Sequence, residues 1–152
     1  MKVIACVDDR NGMLFNHRRQ SRDQTVTEKI QELCQGKILW MNEYSSSLYG
    51  NMHGVTVQCH ENFPDQAESG DFALMETVDP GNYKERTEEL ILFCWNRIYP
   101  AQLFMTLDLS EWKQTEELEF EGTSHEKITM KKIHSVSEQD RVNANMYFCD
   151  FF

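Results

Sequence analysis

The spacing of its short apolar runs constrains this chain more than any other feature. Residues 2–7 (Lys-Val-Ile-Ala-Cys-Val) form a β-rich run closed by Asp8-Asp9, which reads as a buried strand ending at the edge of a sheet. Asn11-Gly12 supplies a turn. From Thr25 the period changes, with Val26, Ile30, Leu33 and Cys34 falling at i, i+4, i+7 and i+8, the stripe of an amphipathic helix. Thr25-x-x-Glu28 has the spacing of a capping box, and Gly36 is placed to end the helix. Lys37 to Met41 is again a strand-length run, so residues 2–41 predict a β-α-β unit with a parallel pair.

Further apolar runs lie at Val55–Cys59, Phe72–Met75, Leu90–Trp95 and Leu103–Leu107. The last two flank Arg97-Ile98-Tyr99-Pro100, a spacing that predicts two strands of one sheet. Residues 79–89 are polar and open on Asp79-Pro80-Gly81, so a loop with at most a short helix is expected. Glu117–Phe120 and Ile128–Ile133 bracket Gly122-Thr123-Ser124, the pattern of an antiparallel hairpin. The expected fold is α/β, a mainly parallel sheet with an antiparallel C-terminal hairpin and helices on both faces. It occupies residues 1–134 as one domain, with residues 135–152 as a tail.

A length of 152 residues with 40% hydrophobic content suffices for one core and is short for two domains. No apolar stretch approaches a membrane span, and the first apolar run is cut at Asp8-Asp9, too early for a secretory signal. A cytoplasmic location is expected. Cys6, Cys34, Cys59, Cys94 and Cys149 sit in or beside apolar runs, as reduced thiols of the core or its margin would. A net charge of -10 argues against nucleic acid as a partner, since phosphate binding needs clustered Lys and Arg. The tail ends in Tyr147, Phe148, Phe151 and Phe152. Such an end docks on its own domain, becomes an edge strand, or forms a homodimer contact.

Several blocks, taken in order, resemble a known family. Val3-Ile4-Ala5-Cys6-Val7 followed by Asp9-Arg10-Asn11-Gly12 is similar to the first strand of dihydrofolate reductase and the loop leading to its active site. Arg19-Gln20-Ser21-Arg22-Asp23 lies where that family carries Pro-Trp and then its active-site acid, and Gly36–Met41 is similar to the next strand. Tyr99-Pro100, Phe104, Asp108, Leu109-Ser110-Glu111-Trp112-Lys113 and Ser124-His125-Glu126-Lys127-Ile128-Thr129 follow the order of the family's C-terminal part. The resemblance implies a dihydrofolate-reductase-like sheet.

The departures bear on function. The family holds NADPH phosphates through a Gly-Arg pair after the second strand and a Gly-Gly pair opening a later helix, because glycine lets a pyrophosphate approach the backbone. Here the first pair aligns with Asn42-Glu43 and the second with Glu76-Thr77 or Thr77-Val78. An acid stands where an arginine would meet phosphate, so no nicotinamide cofactor is expected. The chain also resembles short bacterial proteins sometimes labelled ribonuclease Z. That activity needs a His-x-His-x-Asp-His zinc cluster, and His17, His53, His60, His125 and His134 lack the spacing.

Asp23 inherits the place of the family's acid, a buried carboxylate that donates or relays a proton to a heteroaromatic ring; with the family's Pro-Trp pair absent, the residues read first as an ordinary acid stabilising the first turn of the nearby helix. Arg18, Arg19 and Arg22 form the basic cluster of an acidic chain, and there they suit a carboxylate or phosphate ligand or a solvated loop. Trp40, Trp95 and Trp112 read as packing residues. Cys59-His60 with His53 matches no zinc template, so no metal is expected. Ser124-His125-Glu126 places a nucleophile beside a base, but adjacent strand residues face opposite sides, which separates Ser124 from His125 and excludes a triad.

These features favour a non-catalytic protein that binds a small anionic ligand or a protein partner in the cleft. A reductase of altered cofactor use, with Asp23 as acid and the arginines holding substrate, comes second. A structural or dimerising role through the aromatic tail comes third.

Overall fold

A computed structural model of the chain describes residues 1–135. The expected dimer contact through Tyr147, Phe148, Phe151 and Phe152 lies outside the described residues. Strands β1 (Lys2–Val7), β4 (Ile38–Met41), β5 (Thr56–Cys59), β6 (Phe72–Leu74), β7 (Glu89–Cys94), β9 (Trp112–Phe120) and β10 (Ile128–Ser135) make one sheet in the order β5-β4-β6-β1-β7-β10-β9. Strands β2 (Gly12–Phe15), β3 (Arg18–Arg19) and β8 (Leu103–Phe104) make a second, three-stranded sheet. The helices are α1 (Gln24–Leu33), α2 (Glu43–Tyr49) and α3 (Phe63–Gln66), with a 3₁₀ segment at Pro80–Arg86.

The first strand sits centrally because both of its faces are apolar. Val3, Ile4 and Ala5 are fully buried, as a strand covered on both sides by other elements must be. It runs parallel to β6 and β7, while β10 joins β7 and β9 antiparallel. On one face Ile4, Leu39, Leu74, Ile91 and Phe93 pack under Val26 and Ile30 of α1 and Tyr49 of α2. On the other, Val3, Ala5, Val7, Leu90 and Leu92 pack under Phe63 of α3, Met13 and Leu14 of β2, and Met105 and Leu107. Helices thus cover both faces, and the small sheet shares the second. This is the mainly parallel sheet with an antiparallel C-terminal hairpin that the sequence predicts. Among the described residues no helix is long and apolar enough to cross a membrane.

Four details differ from the sequence expectations. The helix start is capped by Asp23 and not by a Thr25 capping box, because the Asp23 side chain accepts from the Thr25 N–H and draws Thr25 into the first turn. The strands β1 and β4 are parallel but do not pair; β6 lies between them. A crossover helix fixes direction and handedness, not adjacency, so a later strand is free to insert. The third detail concerns residues 103–107, of which only β8 is strand, and it joins the small sheet by pairing with β2. Asn96 at φ 59° and Pro100 turn the chain out of the main sheet before that point. Finally, Cys59 is exposed on the edge strand β5, whereas Cys34 is buried and Cys6 and Cys94 half-buried; all four are free thiols. Trp95 is buried and Trp40 and Trp112 pack against the core, as expected.

Candidate functional site

In an open α/β sheet, ligands bind outside the carboxyl ends of the parallel strands, where loops diverge. Here those ends lead into Asp8 after β1, Asn42 after β4, Glu76 shortly after β6 and Trp95 after β7. Asn42 caps α2 by accepting from the Ser45 N–H at 3.0 Å and donates to Thr77 Oγ1 at 2.8 Å. Asp8 accepts from the N–H groups of Gly12, Arg10 and Tyr99 and from the Gln20 amide. Burial pushes its pKa up, but those hydrogen bonds outweigh burial and hold it below the ordinary carboxylate value.

Glu76 is met by a residue of this same chain. The turn between β2 and β3 delivers Arg19, whose Nε and Nη2 donate to the Glu76 oxygens at 2.8 and 3.0 Å. The guanidinium lies over the Tyr44 ring at 4.6 Å and near the Tyr49 ring at 5.8 Å. Tyr44 Oη accepts from the Arg19 N–H at 2.8 Å. The bond to Glu76 raises the Arg19 pKa further. Burial, reinforced by Glu76, pushes the Cys6 thiol far up. Of the three arginines of the basic cluster, Arg19 is therefore committed to Glu76, while Arg18 and Arg22 are exposed.

Asp23 anchors a second arrangement. Its Oδ1 accepts from the Thr25 N–H at 2.9 Å, the Thr123 N–H at 3.0 Å and Thr123 Oγ1 at 3.1 Å. Its Oδ2 accepts from the Ser124 N–H at 2.8 Å and Ser124 Oγ at 3.0 Å, and lies 3.2 Å from His125 Nδ1. Burial raises the Asp23 pKa, yet the backbone donors of Ser124 and Thr123, then His125 and the Ser124 hydroxyl, outweigh it and hold the carboxyl well below the usual range.

His125 is 4% exposed and stacks on Trp95, with ring centroids 4.6 Å apart at 24°. The Asp23 carboxylate assigns the proton of the neutral ring to Nδ1. Nε2 then accepts, facing Tyr99 Oη at 2.9 Å and Ser21 Oγ at 3.2 Å. A groove of about 360 Å³ adjoins the cluster, lined by Arg22, Asp23, Gln24, Thr27, Leu48, Thr123 and Ser124.

The expected separation of Ser124 from His125 is overturned: Ser124 Oγ lies 3.0 Å from His125 Nδ1. Residues 121–127 are a loop between β9 and β10, so strand alternation does not apply to them. Glu126, by contrast, is exposed. Ser21, Trp95 and Tyr99 did not stand out as site residues in the sequence, since each meets His125 only through the tertiary fold. Gly122-Thr123-Ser124 was the available signal, a run of small donors opposite a buried acid. At the other edge, His60 Nδ1 accepts from the Asn62 N–H at 2.9 Å. Among the described residues no three His, Cys, Asp or Glu side chains gather as a metal site.

No family model and no curated protein matches the chain. A dihydrofolate reductase from Enterococcus faecalis, solved in complex with NADP(H) and RAB-propyl, is similar in structure with a TM-score of 0.62 at 10% sequence identity. The match spans 90% of this chain and 96% of that one. Together with the sheet order, this likeness gives the chain a divergent dihydrofolate-reductase-like fold.

Proposed function

We propose that this chain is a small-ligand-binding protein on a reductase-like scaffold, without nicotinamide-dependent hydride transfer. The observation that carries the reading is the bidentate Arg19–Glu76 pair, which lies across the carboxyl edge of the sheet with the guanidinium over Tyr44. A dinucleotide phosphate brought there finds the Arg19 guanidinium already taken by Glu76, along with the side chains of Thr77 and Asn42 where glycines would leave room. The residues present do not fit NADPH. The donors bonded to Asp23 favour its carboxylate form, which weakens it as a proton donor. On this reading the hydride carrier's seat is filled and the acid is turned to holding the loop.

What supports binding is the groove beside α1. Arg22 offers it positive charge, Gln24 an amide and Leu48 an apolar wall, while the Asp23 carboxylate in its lining is already met by the Thr123 and Ser124 hydroxyls. A small carboxylate or phosphate ester is the ligand class that suits this lining. Thermal unfolding with added NADPH tests the first half, since a ligand at 100 times its Kd adds about 2.7 kcal/mol of stability. No shift is expected with NADPH, and a saturable upward shift overturns the reading. Small carboxylates and inorganic phosphate test the second half; a shift that vanishes in Arg22→Glu is expected.

A further inference from the structure

We propose that Ser21 is an activated nucleophile, with His125 as its general base and Asp23 as the positioning residue, and that the site cleaves small carboxylic esters. The geometry is that of nucleophile, base and orienting acid. Ser21 Oγ lies 3.2 Å from His125 Nε2, and His125 Nδ1 lies 3.2 Å from Asp23 Oδ2. Such separations lie within the range in which an imidazole takes a hydroxyl proton. The ring cannot drift, because Trp95 stacks against it and Asp23 grips its other nitrogen. Asp23 cannot drift either, since donors from Thr25, Thr123 and Ser124 fix both oxygens. Ser21 itself is half-buried, whereas Asp23 and His125 are buried, so it is the most exposed residue of the three.

The role goes beyond ligand binding and does not rest on the groove. It also differs from any reductase role for Asp23, which here keeps its charge throughout. In the reaction, Ser21 Oγ forms a bond to the ester carbonyl carbon as its proton moves to His125 Nε2, and the imidazolium is held by Asp23. Collapse of the tetrahedral intermediate breaks the bond to the leaving alkoxide, which takes the proton from Nε2. Water then attacks the acyl-serine, gives a proton to Nε2, and the carboxylic acid departs as Ser21 regains its proton. Substrate, water and products balance, and no oxidant or reductant enters. Tyr99 Oη, 2.9 Å from the same Nε2, competes for its single lone pair in the resting protein.

An alkyl fluorophosphonate followed by intact mass and peptide mapping tests the assignment. The native protein should gain one adduct, on Ser21, and lose that reactivity on denaturation. Ser21→Ala should take none, and His125→Gln should label about a hundredfold more slowly. Tyr99→Phe removes the competing hydroxyl and should label several-fold faster, with p-nitrophenyl acetate hydrolysis rising in step. No adduct on native protein, an adduct elsewhere, equal labelling of denatured protein, or slower labelling of Tyr99→Phe overturns the proposal. These readouts are separate from ligand-induced thermal shifts, so this idea and the binding function fail independently.

Discussion

Asp23 Oδ2 lies 3.2 Å from His125 Nδ1 across 102 residues of sequence, and the contact fastens the start of α1 to the loop between β9 and β10. Two tasks fall on one carboxylate. It caps the helix through Thr25, and it gathers the N–H groups of Thr123 and Ser124 that a loop would otherwise leave to water. The loop's shape and the histidine's position therefore depend on charge at residue 23.

Asp23→Ala should lower unfolding stability by about 2–4 kcal/mol, because the N–H groups of Thr25, Thr123 and Ser124 and the His125 ring lose the charged acceptor that satisfies them. The lost helix cap accounts for about 1 kcal/mol of that. Asp23→Asn is not a rescue, because an amide nitrogen in place of Oδ2 faces the Ser124 N–H, donor against donor. Urea midpoints at constant slope measure both variants. If both fall within 0.5 kcal/mol of wild type, the carboxylate is not holding the loop.

Acid should weaken the fold through the same group. Asp23 and Asp8 both have folded pKa values below those of an unfolded aspartate, near 4. A depressed acid contributes its full stabilisation above the unfolded value and loses it as pH falls from there through the folded one. Stability should hold from neutrality to about pH 5 and then drop steeply. The gap between wild type and Asp23→Asn should narrow over the same interval. Urea midpoints from pH 7 to pH 2 read this, and a gap that stays constant into acid would exclude Asp23 as its source.

The Arg19–Glu76 pair should be worth more than a surface ion pair. It is bidentate, its two side chains are 19% and 10% exposed, and the guanidinium lies over the Tyr44 ring and near that of Tyr49. A double-mutant cycle of Arg19→Met and Glu76→Gln should give a coupling of about 1–2 kcal/mol. Exposed pairs typically give less than 1 kcal/mol, so a value near zero would mean solvent screens the contact and the crevice is open.

What the sequence made legible was local. The strand β1 was plain because Lys2–Val7 is apolar on both faces, and α1 because Val26 and Ile30 recur at helical spacing. Sheet order was hidden, since nothing in Phe72–Leu74 says that it inserts between β1 and β4. The weight on Asp23 was legible, but its partners were not. Periodicity in Ile128–Ile133 invited the strand pattern to be extended back over Ser124-His125, whereas Asp23 takes the N–H groups of Thr123 and Ser124 and bends that segment into a loop. Arg19 looked like a free cation because its acid lies 57 residues away.

Gly122 should be intolerant of a side chain for a reason that points back to Asp23. A Cβ there would press on the Asp23 carboxylate and come within 2.7 Å of Ile128 Cδ1. Neither neighbour yields readily, as Ile128 is fully buried in the core and Asp23 is fixed by its donors. Gly122→Ala should therefore cost about 1–3 kcal/mol, as overpacking does. Backbone strain is not the cause, because Gly122 is absent from the positive-φ glycines Gly36, Gly54 and Gly70. Truncating Asp23 to Ala removes one of the two obstructions, so Gly122→Ala should cost clearly less in that background than in wild type. Strictly additive losses would mean the clash is relieved elsewhere and the carboxylate does not set the path of the loop.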